Sequence, residues 1–225
     1  MKIERPGKSG PSSEEISESP GIIVDGKFIS KDELTLDVLL EAKIEPEHFK
    51  SLLVRYTRQL EMDALTGLSS RHLLKPRFNK LIKEMNRKKE DRESPPLNSI
   101  MFIVVDLDKF KFINDNYGHE AGDNALKAVT ARIRENLHDS DMVFRIGGDE
   151  LLIILPIHHT EPVNHEEIFQ KRKEKISTDL SVDTPKGKIA INISVGHYVL
   201  EKGDKITLEQ AIAEADAAMY QAKAS

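Results

Sequence analysis

The chain has 225 residues, a net charge of −5 and no cysteine, a length that suits one or two domains. The lack of cysteine excludes disulfides, thiolate zinc sites and a cysteine nucleophile, and mild acidity without a basic block argues against a nucleic-acid polymer as partner. No apolar run reaches the roughly 18 residues of a membrane span, and Met1-Lys2-Ile3-Glu4-Arg5 begins no secretory signal, so a cytoplasmic protein without membrane insertion is expected.

Residues 1–20, rich in Ser, Pro, Gly and Glu, read as a disordered tail. Residues 22–29 suit a short hairpin around Asp25-Gly26. Helices are expected over 34–43 and 46–62, the second opened by Pro46. Its stripe of Leu52, Leu53, Tyr56 and Leu60 fits a helix packed on the next domain or a dimerisation stalk equally well, being too short to decide. Residues 21–62 thus form a short helical regulatory or dimerisation segment, and residues 63–225 the main domain. A helix is expected over 71–89. The run 99–105 is continuously apolar and rich in β-formers, and reads as a buried central strand ending at Asp106. Residues 114–123 read as a polar, Asx-rich loop before a helix over 122–137. A hairpin is expected around Gly147-Gly148, with glycine reaching positive φ in a two-residue turn. A helix over 166–180, a strand over 188–200 and a helix over 208–224 complete the chain. A hairpin beside a central strand implies an α+β fold with a mainly antiparallel sheet flanked by helices.

Arg145-Ile146-Gly147-Gly148-Asp149-Glu150 is the richest segment chemically. Bare glycines let another molecule approach the backbone, and adjacent carboxylates supply hard oxygen ligands for a divalent cation. Asp106, at the end of a rigid strand, is well placed to join them. An acidic turn and a helix cap are the plainer readings of each segment alone, but they leave their co-occurrence unexplained. No Gly-Lys-Ser/Thr phosphate loop is present. His158, His159 and His165 read as surface loop histidines, because no metal-ligand spacing is evident. For Arg145, phosphate binding and a structural ion pair stand level.

These residues resemble the GGDEF-domain diguanylate cyclases. The resemblance rests on the stretch 145–151, on 105–123, on the opening Asp63-Ala-Leu-Thr-Gly-Leu-Ser-Ser-Arg71, and on the closing Ile193-Ser-Val-Gly196 and 215–223. It implies a fold similar to nucleotidyl cyclases and polymerase palms. The implied reaction condenses two GTP molecules into cyclic di-GMP and two pyrophosphates, each 3′-hydroxyl attacking the other nucleotide's α-phosphate. One site would hold one GTP, so a homodimer is needed. Mg²⁺, with Mn²⁺ as the alternative ion, would sit on Asp106, the Leu107 carbonyl and Asp149, with Glu150 beside it. Asp149, Glu150 and Asp106 would be catalytic, Glu150 stabilising charge rather than abstracting a proton. Asn114 and Asp123 would read guanine. Lys109, Phe110 and Lys111 at a helix start would meet phosphates. Lys223 would hold the terminal phosphates, and Gly147 and Gly148 would admit the nucleotide.

Three departures from the family pattern stand out. Leu151 replaces the signature's Phe, and Ser70 replaces a usual Asn. His138-Asp-Ser-Asp141 stands where many members carry an Arg-x-x-Asp inhibitory site. A neutral imidazole does not replace a guanidinium fork, so His138 and Asp141 form a degenerate site and product inhibition should be weak or absent. The alternative is a catalytically inactive GTP or cyclic di-GMP receptor, which would be expected to have lost the acids or the glycine pair. Residues 1–62 would be where a regulatory protein acts.

Overall fold

The computed structural model describes residues 21–24, 27–30, 61–87 and 95–224. The chain divides into two compact units, residues 1–57 and 58–225. In the first, β1 (Gly21–Val24) and β2 (Lys27–Ser30) pair antiparallel, with Ile22 opposite Ile29, as the hairpin reading expects. The expected tail over 1–20 and helix over 34–43 lie outside the described residues, as does the helix over 46–62 except for its last two positions.

The second unit is built on a five-stranded sheet. β3 (Ser69–Ser70), β4 (Leu97–Leu107), β5 (Met142–Arg145), β6 (Glu150–His158) and β9 (Ile193–Glu201) lie in the order β3-β5-β6-β4-β9. Only the β3–β5 pair is parallel. The mainly antiparallel α+β expectation therefore holds. β4 is central, and its side chains alternate between two cores. Met101, Ile103, Val105 and Leu107 pack against α2 (Phe110–Tyr117), α3 (His119–Glu135) and α4 (His165–Ser177). Ile100, Phe102 and Val104 pack against α1 (Leu74–Met85) and α5 (Leu208–Ala224). Burial on both faces is why this strand is a continuous apolar run. A register shift between Leu97 and Ser99 turns Leu97 to the α1/α5 face.

Four expectations need correction. The segment 114–123 is helical, not a loop: α2 and α3 are interrupted only at Gly118, whose φ of +87° ends one helix and opens the next. Ile113 and Ala121 bury into the core, and that burial overrides the turn preference of Asn and Asp. The helix expected over 71–89 begins as a 3₁₀ turn at Arg71–Leu73 and becomes α1 only at Leu74, with Pro76 in its first turn where no N–H is missed. The helix expected to reach residue 180 stops at Ser177, and Asp179 takes a left-handed φ of +54°. The strand expected over 188–200 is two strands. β7 (Ser181–Thr184) and β8 (Gly187–Ala190) form a separate small hairpin, and β9 begins afresh at Ile193. Helix α5 spans 208–224 as expected. No helix among the described residues is long and apolar enough to cross a membrane.

Candidate functional site

Strand register brings the acids together. Asp106 stands opposite Glu150 on β6 and opposite Ser194 on β9. Even-numbered positions of β4 face α5, so Asp106 shares that face with the end of this helix. Asp149 immediately precedes β6, and its carbonyl accepts from the Leu107 N–H at 3.4 Å, tying the hairpin to the end of β4. The carboxyl of Glu150 is held above its usual range by burial first, and then by the charges of Asp106, Asp149 and Asp216 on α5. Four carboxylates that repel one another across a half-buried strand end form an all-oxygen donor set of the kind a hard divalent cation relieves.

Two cations of the protein already partly answer this charge: Arg71, whose charge works to lower Glu150, and Lys223. The ammonium of Lys223 bonds the Asp106 carboxylate and lies 3.5 Å from Asp108. Burial, its largest single influence, would lower the Lys223 pKa, but the bond to Asp106 and the charges of Asp106 and Asp108 outweigh it and raise it. Ser194 donates to Asp108 at 2.6 Å and fixes that second carboxylate. Ser194 and Asp216 fall inside the two closing motifs, but strand register and the helix face are what place them beside the acids.

The glycine pair works differently from the sequence expectation. The connection spans residues 146–149, and the N–H groups of Ile146 and Gly147 both donate to the Glu150 carbonyl, at 3.0 and 3.3 Å. Neither Gly147 nor Gly148 is among the positive-φ glycines, so conformational freedom is not what this turn requires of them. A Cβ on Gly147 would meet Glu150 Oε2, the movable end of a side chain, at 2.5 Å, whereas one on Gly148 would project into open space. Arg145 secures the loop as a structural ion pair. Its Nη1 donates to both Asp63 oxygens at 3.1 Å, while Nε and Nη2 donate to the Gly148 carbonyl at 3.1 and 2.7 Å.

Asp63 is thereby a remote anchor of the hairpin. Burial alone would raise its pKa. Hydrogen bonds from the Thr66 hydroxyl and amide, followed by the Arg145 interaction, hold it below the ordinary value of 3.8. A depressed carboxylate contributes stability that is fully present above its unfolded pKa and is lost as pH falls through the folded one. Asp63→Asn is accordingly expected to cost about 1–2 kcal/mol near neutral pH, discounted for partial exposure. The difference from the parent should close below about pH 4, as urea unfolding at a series of pH values will measure.

Lys109 is the left-handed cap of α2, with φ of +56°, and Phe110 and Lys111 form its first turn. The opening N–H groups of a helix have no intrahelical acceptors, which suits an anion. Asn114 and Asp123 lie half-buried on α2 and α3. The two helices approach closely at Gly122, where a Cβ would overlap the Asn114 side chain. His119 is exposed at the start of α3. Two clefts flank the strand end: one of about 440 Å³ lined by Asp108, Lys109, Phe112, Tyr117, Asn192 and Lys223, the other of about 260 Å³ lined by Arg71, Ile146, Glu150 and Asp216. His138 and Asp141 close a tight turn on each other. The Asp141 carboxylate accepts from the His138 N–H at 2.8 Å and pairs with Arg172 at 3.2 Å, leaving its side chain almost fully covered. Of the three histidines read as surface loop residues, His158 is exposed at the end of β6 and pairs with Glu84, whereas the half-buried His159 and His165 converge with Glu201 at the other end of the sheet.

Comparison with known proteins decides the family, since residues 60–225 match the model described as diguanylate cyclase, GGDEF domain. The chain belongs to the GGDEF family. It is 34% identical over 192 residues to the bifunctional diguanylate cyclase/cyclic di-GMP phosphodiesterase MucR of Pseudomonas aeruginosa, covering 84% of this chain and 26% of that protein. It is 33% identical over 168 residues to the diguanylate cyclase DgcS of Shewanella oneidensis, covering 74% of this chain and 51% of the relative. The chain thus spans about half or less of these relatives. The crystal structure of the diguanylate cyclase SiaD with its activator SiaC, from P. aeruginosa, superposes with a TM-score of 0.62 at 26% identity, covering 79% of this chain and 64% of SiaD. In this GGDEF domain the signature's Gly-Gly-Asp-Glu is Gly147 to Glu150, and Leu151, in place of Phe, is completely buried as a strand residue.

Proposed function

We propose that this GGDEF domain is a diguanylate cyclase that condenses two GTP molecules into cyclic di-GMP and two pyrophosphates at a homodimer interface. The observation that carries the reading is the cluster of Asp106, Asp149, Glu150 and Asp216, close enough to raise Glu150, with Lys223 as its only bonded ammonium among the described residues. Asp106, Asp149 and the Leu107 carbonyl would hold Mg²⁺ or Mn²⁺, with Glu150 alongside; all are hard oxygen donors. Such an ion, when bound, neutralises charge on the attacking and leaving oxygens.

The remaining work belongs to the chain. Lys109, Phe110 and Lys111 orient phosphates at the α2 N-terminus. Lys223 exchanges its carboxylate contacts for phosphate oxygens. Asn114 and Asp123 accept from and donate to the guanine edge, and Gly147 and Gly148 leave the hairpin bare against the nucleotide. The enzyme's contribution is mainly positioning and charge compensation. Identity to named diguanylate cyclases across this domain supports the activity, and the family match starting at residue 60 supports a boundary near 63. A regulatory or dimerisation segment over 21–62 completes the proposed organisation. SiaD in complex with its activator is a precedent for a regulatory protein partner, and residues 1–62 are where we place its action.

Incubation of the purified chain with GTP and Mg²⁺, followed by chromatography, should yield cyclic di-GMP and pyrophosphate. Linear products only, or unchanged GTP, would refute the reading. Feedback is expected to be weak: Asp141 is engaged by Arg172, and His138 offers no guanidinium fork. Titrating cyclic di-GMP into the turnover assay should leave the rate unchanged through the low-micromolar range. Low-micromolar inhibition that disappears on mutating Asp141 would show the opposite.

A further inference from the structure

The end of the sheet remote from the acid cluster carries a second set of ligand side chains. Ser99 and Asp106 belong to the same strand and are separated by about 23 Å of extended backbone. Ser99 is completely buried, a polar side chain at the head of an apolar run. Its hydroxyl lies 2.8 Å from His165 Nε2 and 3.4 Å from His159 Nε2. His165 Nδ1 lies 3.4 Å from Glu201 Oε1, and His159 Nδ1 lies 2.9 Å from the Glu161 carbonyl. One ring nitrogen of each histidine and one oxygen of Glu201 fall within 4.8 Å of one another.

The hydrogen bonds say which nitrogens are free. A carbonyl only accepts, so His159 Nδ1 carries the proton and Nε2 presents a lone pair. For His165, either Ser99 donates to Nε2 and an Nδ1 proton faces Glu201, or Ser99 accepts from Nε2 and an Nδ1 lone pair faces the carboxylate. In the second tautomer two lone-pair groups 3.4 Å apart are drawn together by a cation between them. An imidazole whose far nitrogen is satisfied by a carbonyl or hydroxyl is the usual arrangement around a metal-bound histidine. Ligands about 2.0–2.2 Å from a tetrahedral ion stand roughly 3.3–3.5 Å from one another, which the His165–Glu201 separation already matches.

The backbone is fixed at all three positions. The His159 N–H donates to the Pro96 carbonyl at 3.1 Å, and its own carbonyl accepts from Asn98 at 2.8 Å. His165 is the first residue of α4, behind the Asn164 cap. Glu201 pairs with Ser99 across β4 and β9. Side-chain rotation alone therefore closes the remaining distances. His197, which stacks on Phe169 and faces Glu166, forms a separate pair.

The geometry points to a binding site for a transition-metal ion of the Zn²⁺ class on His159, His165 and Glu201, braced by Ser99 and the Glu161 carbonyl and separate from the acid cluster. Nitrogen donors select such an ion over Mg²⁺. Two neutral imidazoles and one carboxylate leave a fourth position to water, and the ion ties the 159–164 connection and the start of α4 to the ends of β4 and β9.

The test uses the full chain in millimolar Mg²⁺, which occupies the oxygen cluster. Co²⁺ is added as a coloured probe and then displaced with Zn²⁺. About one equivalent of Co²⁺ should produce visible ligand-field bands that Zn²⁺ abolishes. Zn²⁺ at a hundredfold excess over its Kd should raise Tm by roughly 5–10 °C. Both responses should weaken at least tenfold in His165→Gln and in Glu201→Gln. Because His165→Gln also disturbs buried Ser99, the exposed Glu201→Gln variant decides if the former fails to fold. No bands and no Tm shift in the parent would overturn the site, leaving a plain His165–Glu201 contact. Unaltered Co²⁺ binding by folded Glu201→Gln would overturn it equally.

Discussion

Asp149→Ala is expected to lower cyclic di-GMP formation by about 10³-fold or more, the scale of losing a centre that stabilises transition-state charge, while leaving the metal-free protein as stable as the parent or slightly more so. The two halves of this expectation share one cause. Asp149 is one of three acids whose charges hold Glu150 above its ordinary range, after burial itself. Removing it relieves repulsion in the empty cluster. The main-chain bond from Leu107 to the residue 149 carbonyl does not depend on the side chain and survives the substitution. A structural acid would behave in the opposite way, costing stability when lost. Thermal unfolding with and without Mg²⁺ and GTP therefore separates the roles. Ligand should raise Tm in the parent and much less in Asp149→Ala. Turnover within tenfold of the parent, or a marked loss of metal-free stability, would remove Asp149 from the proposed centre.

The parts of this architecture that were legible in the sequence are those where one residue pattern has one physical meaning. The run 99–105 could only be a strand buried on both faces, and it is. Once its parity is known, Asp106, Glu150 and Ser194 fall on one face by register. Asn114 to Asp123 misled because their local chemistry favours turns, whereas Ile113 and Ala121 bury a helical face that only tertiary packing makes worthwhile. The β7–β8 hairpin was missed because it is short and mostly solvent-facing. Glycine at 147 was expected to supply a positive φ, which it does not adopt; a Cβ there would instead meet the Glu150 side chain, a contact three residues away that no turn rule encodes. The pairing of His159 and His165 with Glu201 needs two strands and a helix start to meet, and spacing along the chain carries no trace of it.

Two other glycines should part company on substitution, and the contrast tests fold and site independently. Gly196 on β9 lies directly beneath α5, where an added Cβ would overlap the Met219 nitrogen and the Ala215 carbonyl. These are main-chain atoms of a helix that presents Ala211 and Ala215, both completely buried, to the sheet. No side-chain rotation relieves such a clash, so the helix must lift. Gly196→Ala is expected to cost stability at the upper end of roughly 1–3 kcal/mol. Because α5 carries Asp216 and Lys223, the same shift should loosen the acid cluster and depress turnover. Gly148 is the converse case. A Cβ there meets nothing, and its φ is not in the left-handed region, so Gly148→Ala should leave urea unfolding unchanged. If the hairpin lies against the nucleotide as proposed, however, that methyl group occupies space the substrate needs, and the KM for GTP should rise about tenfold or more, the scale of a few lost close contacts. Equal stability with unchanged KM would mean that the glycine pair does not face the substrate, and the hairpin's part in the proposed reaction would then rest on Asp149 and Glu150 alone.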